Sequence, residues 1–179
     1  MKVIVLDRDG VINEDSDQYI KSPEEWIPIA GSLEAIARLN QAGFVVVVAT
    51  NQSGIARGYF NALSLQRMHD KMYRLLAVMG AKVDAIFYCP HGPEDDCECR
   101  KPRSGLFKKI QRSLLCNLDE SFAIGDSYRD IQAAQHVGAQ AILVKTGKGA
   151  QTLSKHAHEL TVPVFDNLAK AVDSILKTR

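Results

Sequence analysis

The chain has 179 residues, 46% of them hydrophobic and 24% charged, which excludes a disordered protein and predicts one domain over residues 1–179. The 22 basic and 21 acidic residues leave a net charge of +1, so no overall field favours nucleic acid or an anionic membrane surface. The longest apolar run, 44–49, is far shorter than the roughly 20 residues that a membrane-spanning helix needs. The N-terminal apolar run ends at Asp7, which is too early for a signal peptide. We therefore expect a cytoplasmic protein.

Short apolar runs alternate with longer amphipathic stretches along the chain. The runs predict strands at 2–6, 44–49, 85–88, 121–124 and 141–144. The amphipathic stretches predict helices at 32–41, 63–79, 105–115, 129–137 and about 168–177, with Ser32 as an N-cap and Gly43, Gly80 and Gly138 at helix ends. Strands that are apolar on successive residues suit a parallel sheet covered on both faces. The alternation therefore predicts an α/β fold, with an open, doubly wound, mainly parallel sheet between two layers of helices.

The segment 13–31 has almost no periodic pattern and is longer than an ordinary connection between a strand and a helix. A functional loop and a plain surface excursion are both compatible with its composition. Trp26, within it, either packs on the edge of the sheet or contacts substrate.

Polar residues follow several of the predicted strands. Asp7 and Asp9 follow the first strand, 50–54 follows the second, and Asp126 follows the fourth, while Arg100 and Lys101 come soon after the third. Ligands of open α/β sheets bind at the carboxyl ends of the strands, so we expect these groups to converge at one edge of the sheet.

Three carboxylates in one place repel one another unless a cation joins them or a proton is retained, and oxygen ligands suit Mg²⁺. A phosphate beside Asp7 alone is repelled by about 4 kcal/mol per pair of unit charges at about 4 Å, and Mg²⁺ together with Lys101 reverses that sign. The pattern thus favours phosphoryl transfer to Asp7, with Asp9 as acid and base and with Thr50 and nearby backbone N–H groups on the phosphoryl oxygens. Each motif alone is also common in caps and turns, and it is their joint placement that favours this chemistry.

Three cysteines and a histidine lie close together at 89–99, namely Cys89, His91, Cys97 and Cys99. Three thiolates and an imidazole complete a tetrahedral zinc site with no open position, which indicates a structural metal. Such a site would hold this loop next to Arg100 and Lys101. The alternative is four reduced side chains without metal on a flexible loop.

The segments LDRDGV at 6–11, TN at 50–51, KP at 101–102 and GDS at 125–127 resemble the four motifs of the haloacid dehalogenase superfamily of phosphohydrolases. More narrowly, 6–13, 50–58 and 89–102 resemble the D-glycero-D-manno-heptose 1,7-bisphosphate 7-phosphatases, which act in lipopolysaccharide heptose precursor biosynthesis. The resemblance implies a Rossmann-like, capless and monomeric phosphatase whose substrate is a sugar bisphosphate.

The resemblance also implies a role for each matching residue. Asp7 would be the nucleophile and Asp9 the acid and base, with Mg²⁺ held by Asp7, Asp126 and the main-chain carbonyl of Asp9. Thr50 and Lys101 would stabilise the phosphoryl group. The residues that would contact substrate are Asn51, Gln52, Ser53 and Arg100, together with Asp17 and Tyr19 from a loosely matching stretch.

Three alternatives remain at this point. Histidinol-phosphate phosphatases share the metal-clamped loop, and a catalytically silent binding module stapled by zinc would keep the same fold. A nucleic-acid 3′-phosphatase lacks support, because no basic groove or aromatic platform is evident. Four histidines without partner spacing are expected at the surface: His69, His136, His156 and His158.

Overall fold

The computed structural model describes residues 1–178, which form a six-stranded sheet flanked by helices. The strands are β1 (Lys2–Leu6), β2 (Phe44–Asn51), β3 (Ala85–Cys89), β4 (Phe122–Gly125), β5 (Gln140–Val144) and β6 (Val164–Phe165). The helices are α1 (Ser32–Gln41), α2 (Ala62–Val78), α3 (Gly105–Leu114), α4 (Tyr128–Gln135), α5 (Gly149–Lys155) and α6 (Leu168–Lys177). Neighbouring strands are all parallel, in the order β3-β2-β1-β4-β5-β6.

The central strands bury both of their faces, which explains why their sequences are apolar on successive residues. In β1, Ile4 and Leu6 pack into the core that also holds the buried sides of α1, α2 and α6. Val3 and Val5 point to the opposite core, which contains buried residues of α3 and α4. The predicted α/β fold with helices on both faces is therefore confirmed.

The order of the strands reverses beside β1, because the chain builds β2 and β3 on one side of it and then crosses to build β4 on the other. Such a switch point leaves a crevice at the carboxyl ends of the two strands, where the connections diverge. Asp7 follows β1 and Asp126 follows β4, so both carboxylates lie at this crevice.

The structure differs from the predicted elements in a few places. Neither α5 nor β6 was predicted, and β2 runs two residues further than expected, so that Thr50 and Asn51 belong to the strand. The assignment of Ser32 as an N-cap is wrong: Gly31, with φ of 83°, occupies that position, and the Ser32 hydroxyl donates to the Val11 carbonyl at 2.8 Å.

The segment 13–31 packs against the body of the protein. The Trp26 side chain is fully buried in the core shared with α1 and α2. Lys71 of α2 donates from Nζ to the carbonyls of Pro23 and Trp26, both at 2.7 Å. Of the two alternatives for Trp26, packing against the protein rather than contact with substrate is thus correct. Among residues 1–178, the structure contains no helix with the length and apolar character required to span a membrane.

Candidate active site

Three carboxylates meet at the switch point of the sheet. One oxygen each from Asp7, Asp126 and Asp130 lies within 4.8 Å of the others. Asp130 stands in the first turn of α4, where it accepts hydrogen bonds from the Ser127 backbone N–H and hydroxyl at 2.9 and 2.8 Å. The cluster therefore contains the two aspartates expected from the strand ends and a third that was not predicted.

Lys101 is the cation of this cluster, and it is almost completely buried. Its Nζ lies 2.6 Å from Asp130 Oδ1 and 3.1 Å from Asp7 Oδ1, and it donates to the Ala49 carbonyl at 2.7 Å. Asn51 fixes the backbone of Lys101, because its side-chain amide accepts from the Lys101 N–H at 3.0 Å and donates to the Lys101 carbonyl at 3.1 Å. One lysine charge is thus shared between two carboxylates.

The protein alone does not neutralise the three acids. Burial, followed by repulsion from Asp130, raises the pKa of Asp7 from 3.8 to about 7. Burial and the same neighbour also raise the pKa of Asp126 well above its usual value. Asp130 is the exception, since burial would raise its pKa but the adjacent Lys101 charge lowers it. The site is therefore short of positive charge at Asp7 and Asp126.

The donor set fits a small, hard cation. Asp7 Oδ1 accepts from the Arg8 N–H at 2.8 Å, and Asp126 Oδ2 accepts from the Lys148 N–H at 2.8 Å. Within residues 1–178, the second oxygen of each carboxylate has no protein hydrogen-bond donor. A Cβ atom on Gly10 or on Gly147 would overlap the Asp126 carboxylate, so both glycines are needed for the backbone to close around it. Oxygen ligands of this kind are those that Mg²⁺ prefers.

Asp9 is held from both sides. Its Oδ1 accepts from Arg8 Nη2 at 2.7 Å, Arg8 Nε at 3.2 Å and Asn13 Nδ2 at 2.8 Å. Its Oδ2 accepts from Gln52 Nε2 at 2.8 Å, and the same nitrogen lies 3.0 Å from Thr50 Oγ1. Burial would raise the pKa of Asp9, but the Arg8 charge and these hydrogen bonds hold it below its usual range. The carboxyl is thus fixed in orientation at the wall of the cavity.

A cavity of about 310 Å³ opens in front of these groups. The cationic side chains that line it, apart from Lys101, are Arg57, Arg100, Arg129 and Lys148. Burial and the neighbouring Arg129 charge lower the pKa of Arg100. Arg100 is half-buried and Arg129 is exposed, and because both line the cavity, this wall is suited to an anion.

The structure brings the residues proposed from the sequence to this one cavity. Those that line it are Asp7, Asp9, Asp17, Tyr19, Thr50, Asn51, Gln52, Ser53, Arg100, Lys101 and Asp126. Two of them contribute in ways that motif spacing does not reveal. Gln52 donates to Asp9 and Thr50, while the highly exposed Asp17 carboxylate lies 3.7 Å from Lys148 Nζ.

The cysteine and histidine side chains converge on one point next to the cavity. Cys89 Sγ lies 3.7 Å from Cys97 Sγ, 2.9 Å from Cys99 Sγ and 3.5 Å from His91 Nδ1, and His91 Nδ1 lies 3.3 Å from Cys99 Sγ. All four donor atoms lie within 4.8 Å of one another, so the cluster could hold a metal ion. Three thiols and an imidazole are ligands that zinc prefers. Arg100 Nη1 donates to the His91 carbonyl at 3.4 Å, which joins this cluster to the cavity.

His69 is not at the surface, contrary to the prediction. It is buried on α2, and its Nε2 lies 3.2 Å from Nη1 of the fully buried Arg8. A sequence signal for its burial existed, since the residues that α2 buries are spaced as one helical face: Leu65, Met68, His69, Met72 and Leu76. The Asp130 signal was the Ser127-x-x-Asp130 spacing of a capping box. For the Arg8–His69 contact there was none, because 61 positions separate the two residues.

The chain is similar to known proteins over nearly its whole length. The HAD-hydrolase-like family matches residues 98–171. The D-glycero-beta-D-manno-heptose-1,7-bisphosphate 7-phosphatase of Bordetella bronchiseptica is 52% identical over 177 residues, which cover 99% of both chains. The enzyme of the same name from Pseudomonas putida is 53% identical over 169 residues, 94% of this chain and 96% of its own.

Solved structures give the same result. The crystal structure of D,D-heptose 1,7-bisphosphate phosphatase from B. bronchiseptica, complexed with magnesium and phosphate, matches with a TM-score of 0.97 at 51% identity and covers 100% of both chains. The D,D-heptose 1,7-bisphosphate phosphatase of Burkholderia thailandensis matches with a TM-score of 0.78 at 41% identity, over 98% of this chain and 99% of its own.

Proposed function

This chain belongs to the D-glycero-beta-D-manno-heptose-1,7-bisphosphate 7-phosphatase family of HAD-like hydrolases, and we propose that it removes the 7-phosphate of that sugar bisphosphate in a magnesium-dependent reaction. It is a phosphoric monoester hydrolase. The observation that carries the proposal is the cavity itself, which faces three buried carboxylates and Lys101 on one side and is lined by three further arginines. We also propose that residues 1–179 act as one domain, since the six strands form a single sheet, and that the protein is a monomer.

Asp7 is the proposed nucleophile. Its carboxylate oxygen attacks the phosphorus atom, a bond from phosphorus to that oxygen forms, and the bond from phosphorus to the sugar oxygen breaks. Lys101 Nζ, 3.1 Å from Asp7, together with the Thr50 hydroxyl, is proposed to stabilise the charge on the phosphoryl oxygens. Mg²⁺, held by Asp7, Asp126 and the main-chain carbonyl of Asp9, would supply the positive charge that the three acids lack.

Asp9 is the proposed acid and base. It gives a proton to the sugar oxygen as that oxygen leaves, and its carboxylate then takes a proton from the water that attacks the aspartyl-phosphate. Inorganic phosphate departs and the Asp7 carboxylate is restored. The firm hold of Arg8, Asn13 and Gln52 on Asp9 fixes the orientation of its carboxyl and stabilises the carboxylate, which suits the base of the second step. The negative charge of a bound phosphate would favour the protonated carboxyl that the first step needs.

The cations of the cavity favour a substrate with a second phosphate. Arg57, Arg100 and Arg129 lie outside the carboxylate cluster, and an anion bound in the cavity would reduce the repulsion between the Arg100 and Arg129 charges. Asn51 and Ser53 are proposed to contact the sugar, as are Asp17 and Tyr19. Histidinol phosphate would instead bring an ammonium group toward these arginines, which is electrostatically unfavourable.

The Cys89, His91, Cys97 and Cys99 cluster is the proposed site of a structural zinc ion. Its function would be to position the backbone that continues into Arg100 and Lys101. Thiolate ligands of this kind persist in a reducing compartment, so we propose that the enzyme works in the cytoplasm. We also propose that it acts in the synthesis of the lipopolysaccharide heptose precursor, and the name of its relatives supports this proposal.

The test is turnover of the two anomers of the heptose bisphosphate and of histidinol phosphate in Mg²⁺, by the wild type and by the Asp7→Asn variant. We expect phosphate release from a heptose bisphosphate to exceed that from histidinol phosphate and to disappear in Asp7→Asn. Asp119→Asn, the same change at an exposed position, is the matched control and should retain full activity. Preference for histidinol phosphate would overturn the substrate, and turnover by Asp7→Asn would overturn the covalent route. No turnover of any sugar phosphate by the wild type would favour a silent binding module.

A further inference from the structure

Arg8 is an unusual residue for the interior of a protein. Its side chain is fully buried, and burial of an unpaired guanidinium is strongly unfavourable. Two of its nitrogens donate to one oxygen of Asp9, at 2.7 and 3.2 Å. The third, Nη1, lies 3.2 Å from His69 Nε2 on α2. Arg8 thus bridges the carboxyl of Asp9 and a helix, α2, that contributes no residue to the cavity.

The chemistry of the two side chains determines the protonation of His69. A guanidinium can only donate hydrogen bonds, so Nε2 must be the unprotonated ring nitrogen and His69 must be neutral. Burial, followed by the Arg8 charge, lowers the pKa of His69 to about 3, in agreement with this assignment. His69 therefore acts as a fixed acceptor for Arg8 under all ordinary conditions.

This chain of contacts distinguishes the two oxygens of Asp9. Oδ1 accepts from Arg8 and Asn13 together, which leaves it little capacity to exchange a proton. Oδ2 accepts only from Gln52 among residues 1–178, and Asp9 lines the cavity. The asymmetry depends on the position of Arg8, and therefore on His69.

We propose that Arg8 and His69 are positioning residues for proton transfer, in which His69 holds Arg8 and Arg8 holds Oδ1 of Asp9, so that Oδ2 is the oxygen that gives its proton to the leaving group. This inference rests on the proposed function of Asp9. The proton passes from Oδ2 to the sugar oxygen as the bond from phosphorus to that oxygen breaks.

The test compares leaving groups that do and do not need a proton. An alkyl phosphate such as the sugar bisphosphate releases an alkoxide, which must be protonated, whereas nitrophenyl phosphate releases an anion that is stable without protonation. In His69→Leu we expect kcat for the sugar bisphosphate to fall about tenfold or more with KM within about twofold. The initial burst of nitrophenolate, measured by rapid mixing, should stay within about twofold of wild type.

Two further variants separate positioning from folding. His69→Gln offers an acceptor oxygen to Arg8 and should recover most of the lost kcat. Met72→Leu changes a buried apolar residue on the same face of α2 and should leave both substrates unaffected. Thermal unfolding reports whether each variant is folded, and His69→Phe, which keeps a ring without the acceptor, replaces His69→Leu if the latter does not fold.

Equal losses on both substrates, no loss on either, or no recovery in His69→Gln would each overturn the proposal. These outcomes differ from failure of the proposed function, which would appear as absent turnover of the sugar bisphosphate by the wild type. In that event the comparison is made with histidinol phosphate, which is also an alkyl phosphate.

Discussion

Replacing Asp7 by asparagine is expected to stabilise the magnesium-free protein although it removes the proposed nucleophile. The pKa of Asp7 rises from 3.8 to about 7 in the folded chain, because the carboxyl is buried beside Asp130. A folded-state pKa above the unfolded value means that ionisation opposes folding, so the penalty develops as the pH rises from about 4 to about 7 and is complete above it. Asparagine has nearly the same shape and cannot ionise.

The size of the effect follows from the shift. Roughly three units correspond to about 4 kcal/mol at most. This shift already includes the attraction between Lys101 and the Asp7 carboxylate, so no separate loss is subtracted for Lys101, and the expected gain near pH 8 is about 4 kcal/mol at most. Between about pH 5 and about pH 8 the gain should grow by about 2–3 kcal/mol.

The assay is urea unfolding followed by the fluorescence of Trp26, the single tryptophan, which is buried in the core. Both proteins are dialysed free of magnesium without a chelator, so that the cysteine cluster is left undisturbed. Asp119→Asn serves as the control and should show no gain at either pH. A gain in Asp7→Asn that is equal at the two pH values, or a wild type that is the more stable near pH 8, would refute the electrostatic reasoning. Adding Mg²⁺ should stabilise the wild type more than the variant, since Asp7 is a proposed ligand of the ion in the folded state.

Three other changes probe the parts of the site separately. In Gly147→Ala the new Cβ would overlap the Asp126 carboxylate, at a φ of 57°, so we expect the magnesium concentration for half-maximal activity to rise about tenfold or more; an unchanged magnesium dependence would contradict this. In Lys71→Met the carbonyls of Pro23 and Trp26 lose a charged hydrogen-bond donor, and the free energy of unfolding should fall by about 1–3 kcal/mol. Amide hydrogen exchange should become faster in 13–31, while the amides of α6 stay protected. After a chelator has removed all metal and magnesium alone has been returned, activity should remain about tenfold or more below the starting value, and adding zinc should restore it. Full recovery in magnesium alone would exclude a role for zinc.

Much of the fold and of the site was predictable because both follow from the parallel sheet. Apolar runs identify its buried strands, and in such a sheet the residues that follow the strands must meet at one edge. That rule is enough to bring Asp7, Thr50 and Asp126 together, with Lys101 beside them. The strand β6 was not predicted because its two residues are too few to show an alternating pattern. The helix α5 was not predicted because its seven residues form only two turns.

The remaining site residues depend on tertiary contacts that periodicity does not encode. Arg8 lies between two aspartates in sequence, and its burial is acceptable only because His69 and Asp9 satisfy it in the folded protein. Asp130 has a local role as a capping residue, and its pairing with Lys101 adds a second role that spacing alone cannot reveal. For a residue with two such roles, the sequence pattern predicts the local role and does not reveal the tertiary one.

We propose that the long segment 13–31 shields the site, because part of it lines the cavity. At its start, Asn13 donates to the Asp9 carboxyl, and the nearby Asp15 lines the cavity. At its far end, the Trp26 side chain is buried in the core and its carbonyl accepts from Lys71 of α2. The segment is therefore fixed at both ends, one in the site and one in the core, and Asp17 and Tyr19 between these anchors line the cavity. A plain surface excursion would need neither anchor, so these contacts favour a functional loop over a surface excursion.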